Sequence, residues 1–339
     1  MQYLSLTNTA FALGQTFTRY LAPIVNSPKR IGLKKVFNTL HAELERRIKK
    51  VTLKSTPFVL HFEPTNLCNL RCPICYTGSG KNPIPKGYLS FANYKKVIDQ
   101  LKDYLILVRL DGLGESFLNS DIFSMIEYAT KNNIISAIST NFTTFKPDDF
   151  KKVIDAGLDY LIISLDGATK ETYEKVRVGA RFETVLSSIK EIVKLKKSLK
   201  SKTPFIESQF IIFEESIHEL EQIKKLSEKL GVDRLLVKES REDNLQSMRT
   251  MLRDKLPKGK PCYWLWYVLN VAWTGELKAC CTSGLVSPFS FGNIIENSIL
   301  SEWNNKTMKN LRQLSIKRDK NIEESLEGCK CLGCYKIPV

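Results

Sequence analysis

Three cysteines fall within eight residues, Cys68-Asn-Leu-Arg-Cys72-Pro-Ile-Cys75, and an aromatic residue, Tyr76, follows directly. Three thiolates held this close can bind three irons of a cubane iron–sulfur cluster and leave the fourth iron without a protein ligand. An iron with an open coordination position is a chemical site, whereas a fully ligated cluster mostly carries electrons or holds structure. The bland reading of the same cysteines is a zinc knuckle. Structural zinc needs a fourth ligand, and the nearest one, His61, lies on the preceding extended run and by alternation points elsewhere.

A second group follows far downstream: Cys262, Cys280, Cys281, Cys329, Cys331 and Cys334, with no cysteine in the 186 residues between Cys75 and Cys262. A disulfide-stapled secreted protein spreads its cysteines through a short chain, so this grouping favours metal ligation in a reducing compartment, the cytoplasm. Two separated pairs could form a zinc ribbon or hold a further iron–sulfur cluster. Between the two groups lie Gly112-Leu-Gly114-Glu115-Ser116, Ser139-Thr140-Asn141, and Ser164-Leu165-Asp166-Gly167 with Arg177 ten residues on. Taken singly these are a glycine turn, an asparagine turn, a helix cap and a surface arginine.

The elements that must position these residues alternate. Apolar runs at 57–63, 105–111, 134–140, 159–165, 205–213 and 233–238 predict strands, and 3.6-residue periodicity predicts helices at 90–102, 120–132, 147–156, 182–199 and 217–230. Ala156-Gly157 and Leu230-Gly231 sit where helices should stop. Six strands alternating with helices imply an α/β parallel sheet with right-handed crossovers, and ligands gather at the carboxyl ends of such strands. Residues 241–261 read as a polar linker, and Thr274-Gly275 as the turn of a β-hairpin spanning 267–280.

The chain of 339 residues is 43% hydrophobic and 26% charged, enough for one large core plus a smaller appended unit. It shows no secretory signal and no apolar run long enough to span a bilayer. The net charge of +15 is uneven, with nine basic side chains against two acidic ones in residues 1–50. Leu33, Val36, Phe37, Leu40, Leu44 and Ile48 recur there at helical spacing, which predicts a basic amphipathic helix. Its apolar stripe is expected to pack on the main domain; an anionic lipid surface (a peripheral membrane contact) and nucleic acid are the other surfaces such a helix suits. Nucleic acid would account for the charge but not for the open-iron spacing, and no aromatics interleave with the basic residues.

Taken together, the cysteine triplet and the strand-end motifs resemble those of the radical S-adenosylmethionine (SAM) superfamily. The resemblance implies a partial (β/α)6 TIM-like barrel at 56–240, a helical extension at 1–55 and a small C-terminal Cys-rich α+β domain at 262–339. It implies a 4Fe–4S cluster on Cys68, Cys72 and Cys75 whose open iron chelates SAM, which is then cleaved to a 5′-deoxyadenosyl radical. In this family Gly114 would let SAM approach, Glu115 would accept from its ammonium group, Ser139 and Asn141 would hold the ribose, Ser164 would contact SAM and Arg177 would pair with its carboxylate. Ser116 replaces the proline usual in the Gly-Glu-Pro motif. The C-terminal cysteines resemble the SPASM auxiliary-cluster domain in its shortened twitch form, which implies one auxiliary 4Fe–4S cluster on Cys262, Cys280, Cys331 and Cys334. Cys280 and Cys281, like Cys329 and Cys331, could exchange roles, and a spare thiol such as Cys281 could donate a hydrogen atom to a substrate radical. The implied activity is oxidation or epimerisation of a small polar or carbohydrate-like substrate, or modification of a peptide, with a flavodoxin- or ferredoxin-like one-electron reductant as partner.

Overall fold

Each apolar run forms a strand: β1 Val59–Phe62, β2 Leu107–Arg109, β3 Ile135–Thr140, β4 Tyr160–Ser164, β5 Phe205–Ile212 and β6 Arg234–Glu239. This computed structural model describes residues 23–27, 29, 31–73, 75–80, 84–239, 262, 264–278 and 290–317. The 241–261 segment and Cys280, Cys281, Cys329, Cys331 and Cys334 lie outside the described residues. Between the strands run the helices α2 Phe91–Leu101, α3 Ile122–Lys131, α4 Pro147–Asp155, α5 Lys170–Val176, α6 Phe182–Ser198 and α7 Leu220–Leu230. Gly157 and Gly231 take the left-handed conformation that ends α4 and α7, as expected of glycine there.

The six strands pair in parallel and in sequence order. The expected hairpin forms as β7 Val268–Val271 and β8 Leu277–Lys278, and β7 joins β1 in parallel, giving one sheet ordered β6-β5-β4-β3-β2-β1-β7-β8. The fold is an unclosed, mostly parallel α/β barrel. Alternation along each strand then divides the core. Leu60, Val108, Ile138, Leu161 and Ile163 face the helices, while Val59, Leu107, Ile135, Tyr160 and Ile162 build a second cluster on the inner face.

That inner face becomes polar toward the carboxyl ends. His61 Nε2 lies 2.6 Å from Asp111 Oδ1, Arg109 pairs with Asp111, and His61 Nδ1 lies 3.2 Å from Asn270 Oδ1. The register explains the grouping, since His61 pairs with Arg109 on one side and Asn270 on the other.

The N-terminal helix α1, Leu33–Arg47, forms as predicted but is inverted relative to expectation. Its polar side faces the barrel, where Lys35, Asn38, Ala42 and Glu45 are buried. Asn38 Nδ2 donates to the Thr56 carbonyl at 2.8 Å while the Thr56 N–H donates back to Asn38 Oδ1 at 2.9 Å. Glu45 accepts from the backbone N–H groups of Lys54 and Ser55 at 2.8 and 3.0 Å. Unpaired backbone groups at the amino ends of the strands need partners, and polar side chains satisfy them better than leucines would. The apolar stripe therefore does not pack on the main domain: Phe37 is 66% exposed and Leu40 61%.

Lys35 sits in this floor with its Nζ donating to the Asn133 carbonyl at 2.8 Å. Burial, with repulsion from Lys29, pushes its ammonium down from 10.5 to about 8. Between those values the unfolded chain binds more protons than the folded one, so stability should rise as pH rises across that window. Thermal melts from pH 7 to 10 should show a Lys35 contribution that rises with pH in the parent and is missing from Lys35→Met, which should gain up to about 3 kcal/mol over the parent at neutral pH and progressively less toward pH 10.

Candidate active site

The loop leaving β1 is tied down before it reaches the first cysteine. Thr65 Oγ1 donates to the Gly87 carbonyl at 2.7 Å, and Asn66 Nδ2 donates to the Pro85 carbonyl at 2.8 Å. The Glu115 N–H donates to the Leu67 carbonyl at 2.7 Å. A methyl group at Gly114 would overlap the carbonyl oxygens of Thr65 and Leu67, so only glycine allows this contact. The close approach at Gly114 is thus made by the cysteine loop itself. On its far side the Arg71 N–H donates to the Val178 carbonyl at 2.8 Å, anchoring the loop just beyond Arg177.

These anchors bring the three thiols to the carboxyl end of the sheet. Cys72 is buried, and Cys68 and Cys75 are half-buried against the main core. Cys68 Sγ accepts from the Leu70 N–H at 3.5 Å and lies 3.8 Å from Asn141 Nδ2. Burial pushes the Cys68 thiol up to about 11, and burial likewise raises Cys72, opposed there by the charge of Arg177.

Around the thiols stand the strand-end residues. Glu115 is buried and accepts from Thr140 Oγ1 and the Asn141 N–H, both at 2.7 Å. Burial raises its pKa against the pull of these donors and of Arg177. Asn141 Nδ2 also donates to Asn69 Oδ1 at 2.9 Å, and its Oδ1 accepts from Thr143. Arg177 Nε donates to Asp166 Oδ2 at 2.7 Å, while Asp166 Oδ1 accepts from the Ile211 N–H at 2.8 Å. Burial alone would lower the Arg177 pKa, but Asp166 and Cys72 outweigh it and raise it. Ser139 and Ser164 share the inner face with Ala137 and Ile162 by alternation.

Cys68, Cys72, Cys75, Glu115, Asn141 and Arg177 therefore share one neighbourhood, drawn from four strand ends. Cys262 does not join them. It precedes β7, which runs parallel to β1, so it lies at the amino end of the strands, packed against the inner cluster with its N–H donating to Ser315 Oγ at 2.8 Å. Reading the sequence missed three contributors: Asp166 as the partner of Arg177, Asn69 as the partner of Asn141, and the His61–Asp111–Arg109 group inside the barrel. Only the last had a signal, since strand alternation puts His61 and Arg109 on the same face as Val59 and Leu107.

The donor set fits an iron–sulfur cluster. Among the described residues no three His, Cys, Asp or Glu side chains converge on a single metal ion, and three thiolates that each bind a separate iron have no need to. The Tyr173 hydroxyl is buried beside Arg177, Asp166 and Cys72 with no hydrogen-bond partner among the described residues, so a donor is available for a sulfur or oxygen acceptor there. Thiols with raised pKa values ionise when a metal replaces the proton.

The profile of the radical SAM superfamily matches residues 62–227, and that of the SPASM iron–sulfur cluster-binding domain matches residues 262–335. The chain belongs to the radical SAM superfamily. Its cofactors are 4Fe–4S clusters and SAM, held by the two domains so matched. Among curated relatives, the AdoMet-dependent heme synthase of Methanosarcina barkeri is 26% identical over 53% of this chain and 50% of its own length. A mycofactocin maturase of Mycobacterium tuberculosis is 31% identical over 40% of this chain and 34% of its own length. The chain thus spans about half or less of the length of these relatives. Among solved structures, Streptococcus suis SuiB bound to S-adenosylmethionine covers 90% of this chain and 79% of its own with a TM-score of 0.63 at 14% identity. The AdoMet-bound anSMEcpe covers 83% and 85% with a TM-score of 0.57 at 15% identity. Likeness at that identity is one of fold.

In this radical SAM chain the Arg177–Asp166 pair couples the end of β4 to β5 and to the cysteine loop. Asp166→Asn leaves a buried guanidinium uncompensated and should destabilise the apoprotein by about 3 kcal/mol in anaerobic urea unfolding. A variant as stable as the parent would show that the pair does not brace the site.

Proposed function

We propose that the chain reductively cleaves SAM and directs hydrogen abstraction at an unactivated carbon of a small polar or carbohydrate-like substrate, with oxidation or epimerisation as the outcome. The observation that carries this reading is the convergence of Cys68, Cys72 and Cys75 with Glu115, Asn141 and Arg177 at the carboxyl ends of the strands. When bound, the cluster and SAM supply an electron from an external flavodoxin- or ferredoxin-like donor and a 5′-deoxyadenosyl radical.

The chain's own residues bind and orient. Cys68, Cys72 and Cys75 would hold three irons, and Arg177, whose Nε and Nη2 donate to Asp166, offers a carboxylate its charge and its remaining N–H donors. The hydroxyls of Ser139 and Ser164 face the barrel interior, where they can accept or donate to a ribose or a substrate. The buried polar group of His61, Asp111, Arg109 and Asn270 lines the same interior and suits a substrate rich in hydroxyl or carboxylate groups. Cys262, Cys280, Cys331 and Cys334 would hold the auxiliary cluster, and Cys281 is the thiol assigned to return a hydrogen atom where the outcome is inversion. Peptide modification is the second reading, supported by the maturases among the relatives and by a SuiB structure bound to its precursor peptide SuiA.

Anaerobic reconstitution followed by a 5′-deoxyadenosine assay tests the proposal. The parent should hold roughly eight irons per chain and cleave SAM. Cys72→Ala should lose about half the iron and all cleavage, whereas Cys331→Ala should lose iron yet keep uncoupled cleavage. Equal deoxyadenosine from Cys72→Ala and the parent would overturn the assignment.

A further inference from the structure

The inverted helix α1 leaves a surface that none of the described residues covers. Leu33, Phe37, Leu40, Leu44 and Ile48 are all exposed along one side, at spacings of four, three, four and four residues. A stripe this long on the outside of a helix is costly to leave in water, and scattered single apolar residues do not explain it. Basic side chains flank it: residues 31–54 hold seven Lys or Arg against two Glu, and although Lys35 is buried toward the barrel and Lys34 pairs with Asp103, Arg47, Lys49 and Lys54 are exposed. One of those glutamates, Glu45, is buried and turned inward, and the other, Glu43, pairs with Arg46 and Arg47. The outward surface therefore combines an aliphatic and aromatic centre with a positive rim. The preceding residues 1–22 contain a single charged side chain, Arg19, and no acidic residue.

We propose that the outer face of α1 docks on an anionic phospholipid bilayer, the apolar stripe entering the acyl boundary and the basic rim meeting the headgroups. The chemistry matches on both counts, because interfacial helices pair apolar burial with cationic flanks. A second copy of the chain matches less well, since two such faces would bring two positive rims together. Nucleic acid would meet the rim but leave the stripe in water.

The geometry also fixes an orientation. α1 caps the amino ends of the strands through Asn38 and Thr56, whereas the cysteine loop leaves the carboxyl end of β1. A barrel resting on α1 therefore opens its reaction site away from the bilayer, toward water-borne substrate and reductant.

The test uses the full chain and sedimentation with vesicles of phosphatidylcholine alone or phosphatidylcholine mixed with phosphatidylglycerol. The parent should sediment with the mixed vesicles, weakly with the neutral ones, and progressively less as salt is raised. The doubly substituted Phe37→Glu, Leu40→Glu chain should bind at least about tenfold more weakly, with an unchanged melting midpoint because neither side chain is part of a core. Lys49→Glu with Lys54→Glu should weaken binding to mixed vesicles only. Absence of parent binding to mixed vesicles, or equal binding by the Phe37 and Leu40 variant, would overturn the proposal. So would a concentration-dependent dimer in sedimentation velocity that this variant abolishes while vesicle binding is unaffected.

Discussion

An unclosed parallel barrel has no ring of hydrogen bonds to fix the spacing of its strand ends, and carboxylates, all buried but Asp233, supply that constraint here. At the carboxyl end, Glu63 after β1 accepts from the Leu113 N–H at 2.8 Å and lies within 3.4 Å of the Trp273 N–H, joining the loops after β2 and β7. Glu115 after β2 accepts from the end of β3, and Asp166 after β4 accepts from β5. At the amino end, Asp159 accepts from the Ser136 N–H at 2.9 Å and Asp233 from the Ile206 N–H at 2.7 Å. A hydrogen bond contributes about 0.5–1.5 kcal/mol net, and a buried amide left without one costs about 1–3 kcal/mol. The set therefore favours one spacing of the strand ends over its neighbours.

That constraint is what makes the site a site. Cys68, Asn141 and Arg177 come from segments tens of residues apart, and the last two are each placed by one of these carboxylates. Glu115 holds the Asn141 backbone, so Asn141 can reach Cys68 and Asn69 at once. Asp166 holds Arg177, so its charge stays beside Cys72 without a bound ligand. A preorganised charge and donor array of this kind needs no rearrangement when a cofactor arrives.

Much of this was legible in the sequence because strand and helix periodicities are local. The six strands, the five longer helices and the order of motifs at strand ends follow from runs of Val, Ile and Leu interrupted by Gly, Asn and Ser. The helix α5 was not anticipated: at seven residues it carries too few turns to show a period, although Thr169 caps it. The orientation of α1 was not legible either. Periodicity reveals a stripe but not which side of the helix has something to bind, and here unpaired backbone groups at the strand starts recruited Asn38, Lys35 and Glu45. The partners of the site residues were hidden for a related reason. Asp166 reaches Ile211 and Glu115 reaches Asn141 only because parallel strands lie side by side, and no local pattern encodes such pairs.

The amino end of the barrel is also where the two termini of the described chain meet, and this links α1 to Cys262. Arg46 Nε donates to the Tyr267 hydroxyl at 2.8 Å, Trp266 Nε1 donates to the Lys50 carbonyl at 3.0 Å, and Arg312 donates to the carbonyls of Leu265, Val51 and Trp303. Ala42 of α1 and Cys262 pack on the same inner cluster. Arg312 is fully buried in this floor, and burial pushes its guanidinium down to about 9. A cofactor ligated through Cys262 would thus be seated on the same floor that α1 covers, with the polar interior of His61, Asp111 and Arg109 between it and the cysteine loop at the other end. The sheet separates Cys262 from the cysteine loop by the length of its strands, and the side chains lining its inner face lie between them.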